Sequence, residues 1–360
     1  MSLPANEREI SADWLTEALQ RSGVLGRGRV RAVQAERIAE GLGLMARLSR
    51  LRVEYEDADP SSPRTMIAKL PIDLPQNLEI ANLYRFYQRE CAFYEHLSMH
   101  TPLRVPRCYG IAREGENGFV LLLEDLGKAR VGDQIAGNRA QDALAAIGAI
   151  AEHHAAFWNQ AVGLPFLVDH HTPEFCQILE VSYAQSIGPT VAAFPQHFTP
   201  ALRELAFELG DKTTAMLQVN LERPLTVCHG DFRADNLFYD LPDGTKLAVM
   251  DWQICGRGFG PADMGYHLTQ SVTPEVRRAI ERPAVEAYYR ALTAAGVRDY
   301  SLAELWEDYR EAALFMLVYP ITVCGSLDLE NPRARALGET LLVRSLDAIT
   351  SLKSVEKLPR

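Results

Sequence analysis

The chain has 360 residues, 47% of them apolar, which is enough to fill the cores of two lobes of ordinary size. Its 37 Lys and Arg stand against 47 Asp and Glu, and the resulting charge of −10 disfavours a polyanionic partner such as DNA or an anionic membrane surface. Six scattered cysteines without a CxxC pair, no basic and then apolar leader, and no run approaching 18 apolar residues predict a reduced, cytoplasmic protein, neither secreted nor inserted in a membrane.

Ser11 reads as an N-cap, and Trp14, Leu15, Ala18 and Leu19 follow at helical spacing, so a short amphipathic helix covers 11–21. From 31 to 70 the texture turns β-rich. RAVQAERI, LMARLSRLRVEY and TMIAKL, separated by EGLG and EDADPSSPR, predict three antiparallel strands. Gly41 and Gly43 in the first turn let a backbone approach phosphates without Cβ interference, and a plain hairpin turn fits them equally. EGLGLMA also satisfies the dinucleotide fingerprint G-x-G-x-x-A, a reading that needs a helix after the glycines; alternation in Leu44, Ala46 and Leu48 favours a strand.

A helix over 78–97 gathers Leu83, Phe86, Tyr87, Phe93, Tyr94 and Leu97 into one apolar stripe, with Glu90 inside it. Burying that carboxylate alone would be costly, so a cation is expected there, and Lys69 of TMIAKL is the candidate, with a local surface contact to Arg85 or Arg89 as the alternative. GFVLLLEDL reads as a buried strand leading to a connector near 124–130. Beyond it the chain is mostly helical, apart from a β-like passage at 225–250. The division is 1–124 and 125–360, in an α+β chain whose interface between lobes is the natural place for a ligand. His154, on the inward face of a helix near 140–160, reads as a core histidine, and neither His153-His154 nor His170-His171 has the spacing of a zinc centre. Trp306, Tyr309, Phe315, Met316 and Tyr319 have spacings that suit either the lining of a pocket or a helical core, with core favoured.

HGDFRADNLFYDLPDGTKLAVMDWQ, at 229–253, carries the chemistry. Two short β-like runs flank Pro242-Asp243-Gly244, a chain-reversing turn, and make a hairpin. Its open ends should bring Asn236 near Asp251, an amide oxygen and a carboxylate of the kind that hold Mg²⁺. Asp231 lies five residues before Asn236, where a carboxylate would face an attacking group while the metal faces phosphates.

His229-Gly230-Asp231, Asn236 and the Asp251 of VMDWQ resemble the signature of the aminoglycoside phosphotransferase and choline kinase superfamily, relatives of the protein kinases. IAEGLG, KARVGDQ and VCHGDFRADN bring the likeness nearest to bacterial ecdysteroid kinase-like phosphotransferases, over about 36–270. The resemblance implies a bilobal protein-kinase-like fold, with a small antiparallel-sheet N-lobe that binds nucleotide and a larger, mainly helical C-lobe that carries catalytic and substrate groups. It implies ATP and Mg²⁺ as cofactors and transfer of the γ-phosphoryl group to a hydroxyl of a small molecule. Asp231 is then the catalytic base, Asn236 and Asp251 are metal ligands, and Lys69, paired with Glu90, contacts phosphates. Glu124 and Leu126 mark the hinge where adenine meets the main chain, Gly41 and Gly43 lie over the phosphates, and Asp263 braces the catalytic loop. A nucleotide-binding pseudokinase serving as an interaction module and a dinucleotide-dependent oxidoreductase are the alternatives. Relatives suggest an apolar alcohol as acceptor, whereas the acidic balance suits a cationic one.

Overall fold

The computed structural model describes residues 2–38, 45–115, 118–161 and 163–359. Two compact units form: one from Met1–Met99, Val105–Lys128 and Met250–Ile254, the other from His100–Arg104, Ala129–Val249 and Cys255–Arg360.

In the first unit, Ser11 Oγ accepts the Trp14 N–H at 3.1 Å and opens α1 (Ala12–Arg21). Strands β1 (Arg29–Ile38), β2 (Ala46–Glu56) and β3 (Thr65–Pro71) follow, then α2 (Pro75–Leu83), α3 (Phe86–Ala92), β4 (Cys108–Glu114) and β5 (Gly118–Glu124). The strands form one sheet in the order β1-β2-β3-β5-β4, every pair antiparallel. Trp14, Leu15 and Leu19 of α1 pack with Leu51, Met66, Ala68, Leu70 and Leu122. Because successive side chains of a strand alternate in direction, Met66, Ala68 and Leu70 point into that core while Lys69 points to the opposite face.

Two points of the sequence reading need correcting here, and a third is decided. Residues 78–97 are not one helix: Arg85 takes left-handed angles (φ 56°, ψ 38°), which separates α2 from α3, and a π-helical turn over Phe93–Leu97 follows. Leu83 therefore leaves the stripe and is 55% exposed. Strand β4, which the sequence reading omits, has a half-polar pattern whose pairing is supplied by β5. Where the dinucleotide reading needs a helix, strand β2 begins at Ala46. Gly41 and Gly43 themselves lie outside the described residues.

The second unit contains β6 (Arg130–Val131), α4 (Ala140–Ala156), α5 (Pro173–Ala193), α6 (Pro200–Val219), β7 (Thr226–Cys228), β8 (Leu237–Tyr239), β9 (Leu247–Val249) and β10 (Gly256–Gly258). Helices α7 (Pro261–Gln270), α8 (Pro274–Ala294), α9 (Leu302–Phe315), α10 (Val318–Ser326) and α11 (Pro332–Ser351) complete it. Helix α4 packs on α8, α5 on α6 and α10, and α7 on α9. Tyr183, Phe194, Leu209, Leu314, Leu317, Ile321 and Leu342 are among the residues filling a core between α5, α6 and the last three helices. The hairpin predicted from Pro242-Asp243-Gly244 is present, with Leu237 opposite Val249 and Tyr239 opposite Leu247, and β6 adds a third strand beside β8. The second turn of sheet, β7 with β10, leads into the loop that follows Cys228. None of the described helices is long and apolar enough to cross a membrane. All six cysteines are free thiols.

Candidate active site

Lys69 and Glu90 meet in the first unit. Lys69 Nζ lies 2.6 Å from Glu90 Oε2 and 2.7 Å from Asp251 Oδ1, and the lysine and glutamate side chains are 7% and 1% exposed. Burial by itself would lower the Lys69 ammonium, but Asp251 and Glu90 beside it outweigh burial and hold it above its ordinary value. Burial pushes the Glu90 carboxyl upward against the pull of Lys69.

Residues Met250–Ile254 are seated on α3 by packing and hydrogen bonds. Trp252 is fully buried and stacks on Phe93 at 3.8 Å between ring centroids, nearly parallel, and Arg89 Nη2 donates to Ile254 O at 2.5 Å. Glu90 also accepts a hydrogen bond from the Trp252 backbone. Asp251 itself has φ 66°, a left-handed conformation costly for a residue with Cβ and tolerated where surrounding contacts over-determine it. Its pairing with Lys69 is a contact that the sequence reading does not anticipate, because 182 residues separate the two.

Glu124, at the end of β5, bonds through both main chain and side chain to Arg107: its N–H donates to Arg107 O at 2.8 Å and its carboxylate accepts the Arg107 N–H at 3.0 Å. Leu126 is buried, and Asp125 between them pairs with Arg50 at 2.8 Å.

The loop after β7 gathers the other predicted residues in the second unit. His229 is fully buried, and its Nδ1 accepts the Asp231 N–H at 3.1 Å. Gly230 has φ 81°, a turn that a residue with Cβ would resist. Asn236 Nδ2 donates to Asp231 O at 2.9 Å and to Asp231 Oδ2 at 3.0 Å. Both amide hydrogens are thereby committed, so the atom Asn236 has left to offer a cation is its carbonyl oxygen. Asn236 directly precedes Leu237, and Asp251 follows Val249 by two residues, Leu237 and Val249 being opposite one another in the hairpin.

Asp263 on α7 braces this loop, its Oδ2 accepting the His229 N–H at 2.7 Å and its Oδ1 the Gly230 N–H at 2.9 Å. These bonds together with His154 overcome the upward push of burial and keep the Asp263 carboxyl below its ordinary value. His154 bridges Asp263 Oδ2, at 3.1 Å, and Tyr288 OH, at 2.7 Å. His154, Cys228 and Asp263 have donor atoms within 4.8 Å of one another. Asp263 is already engaged by two N–H groups and by His154, and in this arrangement it serves to hold the loop.

Two features were not read from the sequence. Tyr319, assigned to core, sends its OH to Gly230 O at 3.0 Å, and its ring meets Tyr266 edge-on at 4.8 Å. A strap over 130–138 also grips the loop. Gln134 Oε1 accepts the Ala234 N–H at 2.8 Å, Gln134 N–H donates to Asp235 Oδ1 at 2.9 Å, and Gly132 lies so close to Ala234 O that a Cβ would come within 2.3 Å. The glycine and glutamine of KARVGDQ were visible in the sequence, but their partners lie about 100 residues away.

Known proteins share this architecture. An ethanolamine kinase of Plasmodium vivax superposes with a TM-score of 0.54 at 11% identity, over 89% of this chain and 81% of its own. A Ralstonia eutropha protein described as an aminoglycoside phosphotransferase gives 0.52 at 15% identity, over 91% and 94%. Wild-type aminoglycoside 2′-phosphotransferase-IIIa, in its GDP complex, gives 0.50 at 14% identity, over 89% and 94%. At these identities the likeness establishes the fold, which is protein-kinase-like. A search among curated proteins finds no significant match. The family model of the ecdysteroid kinase-like proteins matches residues 40–298, a span that takes in Lys69, Glu90, the braced loop and Asp251, and the chain belongs to that family of kinase-like phosphotransferases.

Proposed function

We propose that the protein transfers the γ-phosphoryl group of ATP to a hydroxyl of a small molecule, with Asp231 as base and with Asn236 and Asp251 as ligands of Mg²⁺. The observation that carries this reading is the way Asp231 and Asn236 are held: both amide hydrogens of Asn236 are spent on Asp231, which leaves Asn236 one oxygen donor and fixes one carboxylate. Phosphoryl transfer asks the protein for positioning and charge stabilisation more than for covalent chemistry, and this loop offers both.

The donor set suits the metal. Asn236 and Asp251 supply only oxygen, the ligand atom a hard cation such as Mg²⁺ prefers, and the ion when bound neutralises charge on the phosphate oxygens. Lys69, kept charged by its two carboxylates, is suited to the α and β phosphates. Glu124 and Leu126 are proposed to meet adenine through the main chain, and Gly41 and Gly43 to lie over the phosphates. Asp231 accepts the proton of the acceptor hydroxyl as its oxygen attacks in line. A reduced cytoplasmic setting suits the six free thiols.

The reading is tested by nucleotide binding. ATP with Mg²⁺ should raise the thermal midpoint, NAD should not, and calorimetry on Asp251→Ala should lose the Mg²⁺-dependent part of ATP affinity. An unchanged affinity in that variant counts against the metal assignment, and stabilisation by NAD alone would restore the oxidoreductase reading.

A further inference from the structure

Arg233 stands two residues after Asp231, and neither composition nor motif assigns it a task. Its Nε donates to Asp231 Oδ2 at 3.2 Å, and its Nη1 donates to Asp235 Oδ2 at 2.9 Å. The side chain is 25% exposed, against 11% for Asp231 and 36% for Asp235, so this is a partly buried bridge and not a solvent-facing pair. Asp235 is fixed in turn, since its other oxygen accepts the Gln134 N–H at 2.9 Å. Gln134 is buried and tied by its side chain to Ala234, Ser271 and Gln270, while Arg344 Nη1 donates to its carbonyl at 2.7 Å. The chain of contacts from Arg344 through Gln134, Asp235 and Arg233 ends on the carboxylate of Asp231.

We propose that Arg233 is a positioning residue for the base, a clamp that together with Asn236 holds the Asp231 carboxylate by its Oδ2. Both donors fall on the same oxygen: Asn236 Nδ2 at 3.0 Å and Arg233 Nε at 3.2 Å. A carboxylate held by one oxygen from two directions loses rotation about its Cβ–Cγ bond, and the second oxygen keeps one orientation. Arginine suits the task because its planar fork reaches two carboxylates at once, which a lysine ammonium on a flexible stem does not reproduce with the same geometry. This clamp rests on the assignment of Asp231 as base.

The test measures ADP release from Mg·ATP, in the presence of a fixed mixture of a sterol alcohol, a primary alkanol, a sugar and a hydroxy acid, for the 360-residue chain and five variants. Arg233→Ala should lower kcat on the order of 10²-fold, the cost of a loosely positioned catalytic group, while the KM for ATP and the thermal midpoint stay near wild type. Arg233→Lys should recover only part of that loss. Asp235→Ala, which leaves Arg233 in place, should lower kcat in the same sense and carries the test if Arg233→Ala fails to fold. In the Asp231→Asn background, adding Arg233→Ala should have no further effect, because the clamp has lost its object. The outcomes separate two failures. Full turnover in Asp231→Asn overturns the base reading itself. A dead Asp231→Asn alongside a fully active Arg233→Ala, or a raised KM for ATP in place of a lowered kcat, overturns the clamp alone.

Discussion

Lys69 is a buried cation between two carboxylates, and its worth lies mainly in what its removal would leave behind. Lys69→Met would strand Glu90, at 1% exposure, without its cation, and losing one member of a buried pair costs about 3–5 kcal/mol. Chemical denaturation should show that loss. It should be larger at pH 8 than at pH 6, because Glu90, already pushed upward by burial, escapes the penalty by taking a proton. An equal loss at both pH values would mean that Glu90 finds another partner. The pair itself was legible in the sequence from one anomaly, an acid in an apolar stripe. The second partner was not: Asp251 reaches Lys69 because Trp252 stacks on Phe93 and Glu90 takes the Trp252 N–H, contacts that no local pattern encodes.

Among the elements, the strap over 130–138 holds the loop that follows β7. Gly132 admits no side chain, since its Cβ would lie 2.3 Å from Ala234 O, a backbone atom that cannot move without shifting Asp235 and Asn236. Gly132→Ala should cost about 1–3 kcal/mol by overpacking and lower turnover by a larger proportion than it lowers nucleotide affinity. Urea denaturation and steady-state kinetics on the same preparation check both; a variant with unchanged kcat would show the loop to be independent of the strap. The hairpin of β8 and β9 was readable because its turn chemistry is local, and α1 because Ser11 and the spacing of Trp14, Leu15 and Leu19 agree. The break at Arg85 was not, because the apolar stripe continues across it and left-handed arginine has no sequence mark. Tyr319 was taken for core for a similar reason: spacing places an aromatic on the inner face of α10 but does not say that its hydroxyl ends on Gly230 O.

At the scale of the molecule, buried histidines make the fold sensitive to acid. Burial lowers His267 to about 4, although its Nδ1–H donates to Phe232 O at 3.2 Å, and burial lowers His153 well below its ordinary value in the same sense. The folded state keeps these rings neutral, whereas the unfolded chain takes up protons near pH 6.5. The stability they contribute is complete above pH 6.5 and declines as pH falls from 6.5 toward 4, by about 3 kcal/mol for His267 alone. Urea midpoints should therefore drop between pH 7 and pH 5, and a midpoint that rises over that interval would contradict the neutral assignment. Phosphoryl transfer through Asp231 is most directly tested by product formation from Mg·ATP with the alcohol mixture, comparing wild type with Asp231→Asn. A phosphomonoester detected by mass spectrometry, formed by the wild type and reduced on the order of 10³-fold in a variant that still binds ATP, is the predicted result. Near-wild-type product formation by Asp231→Asn would contradict it.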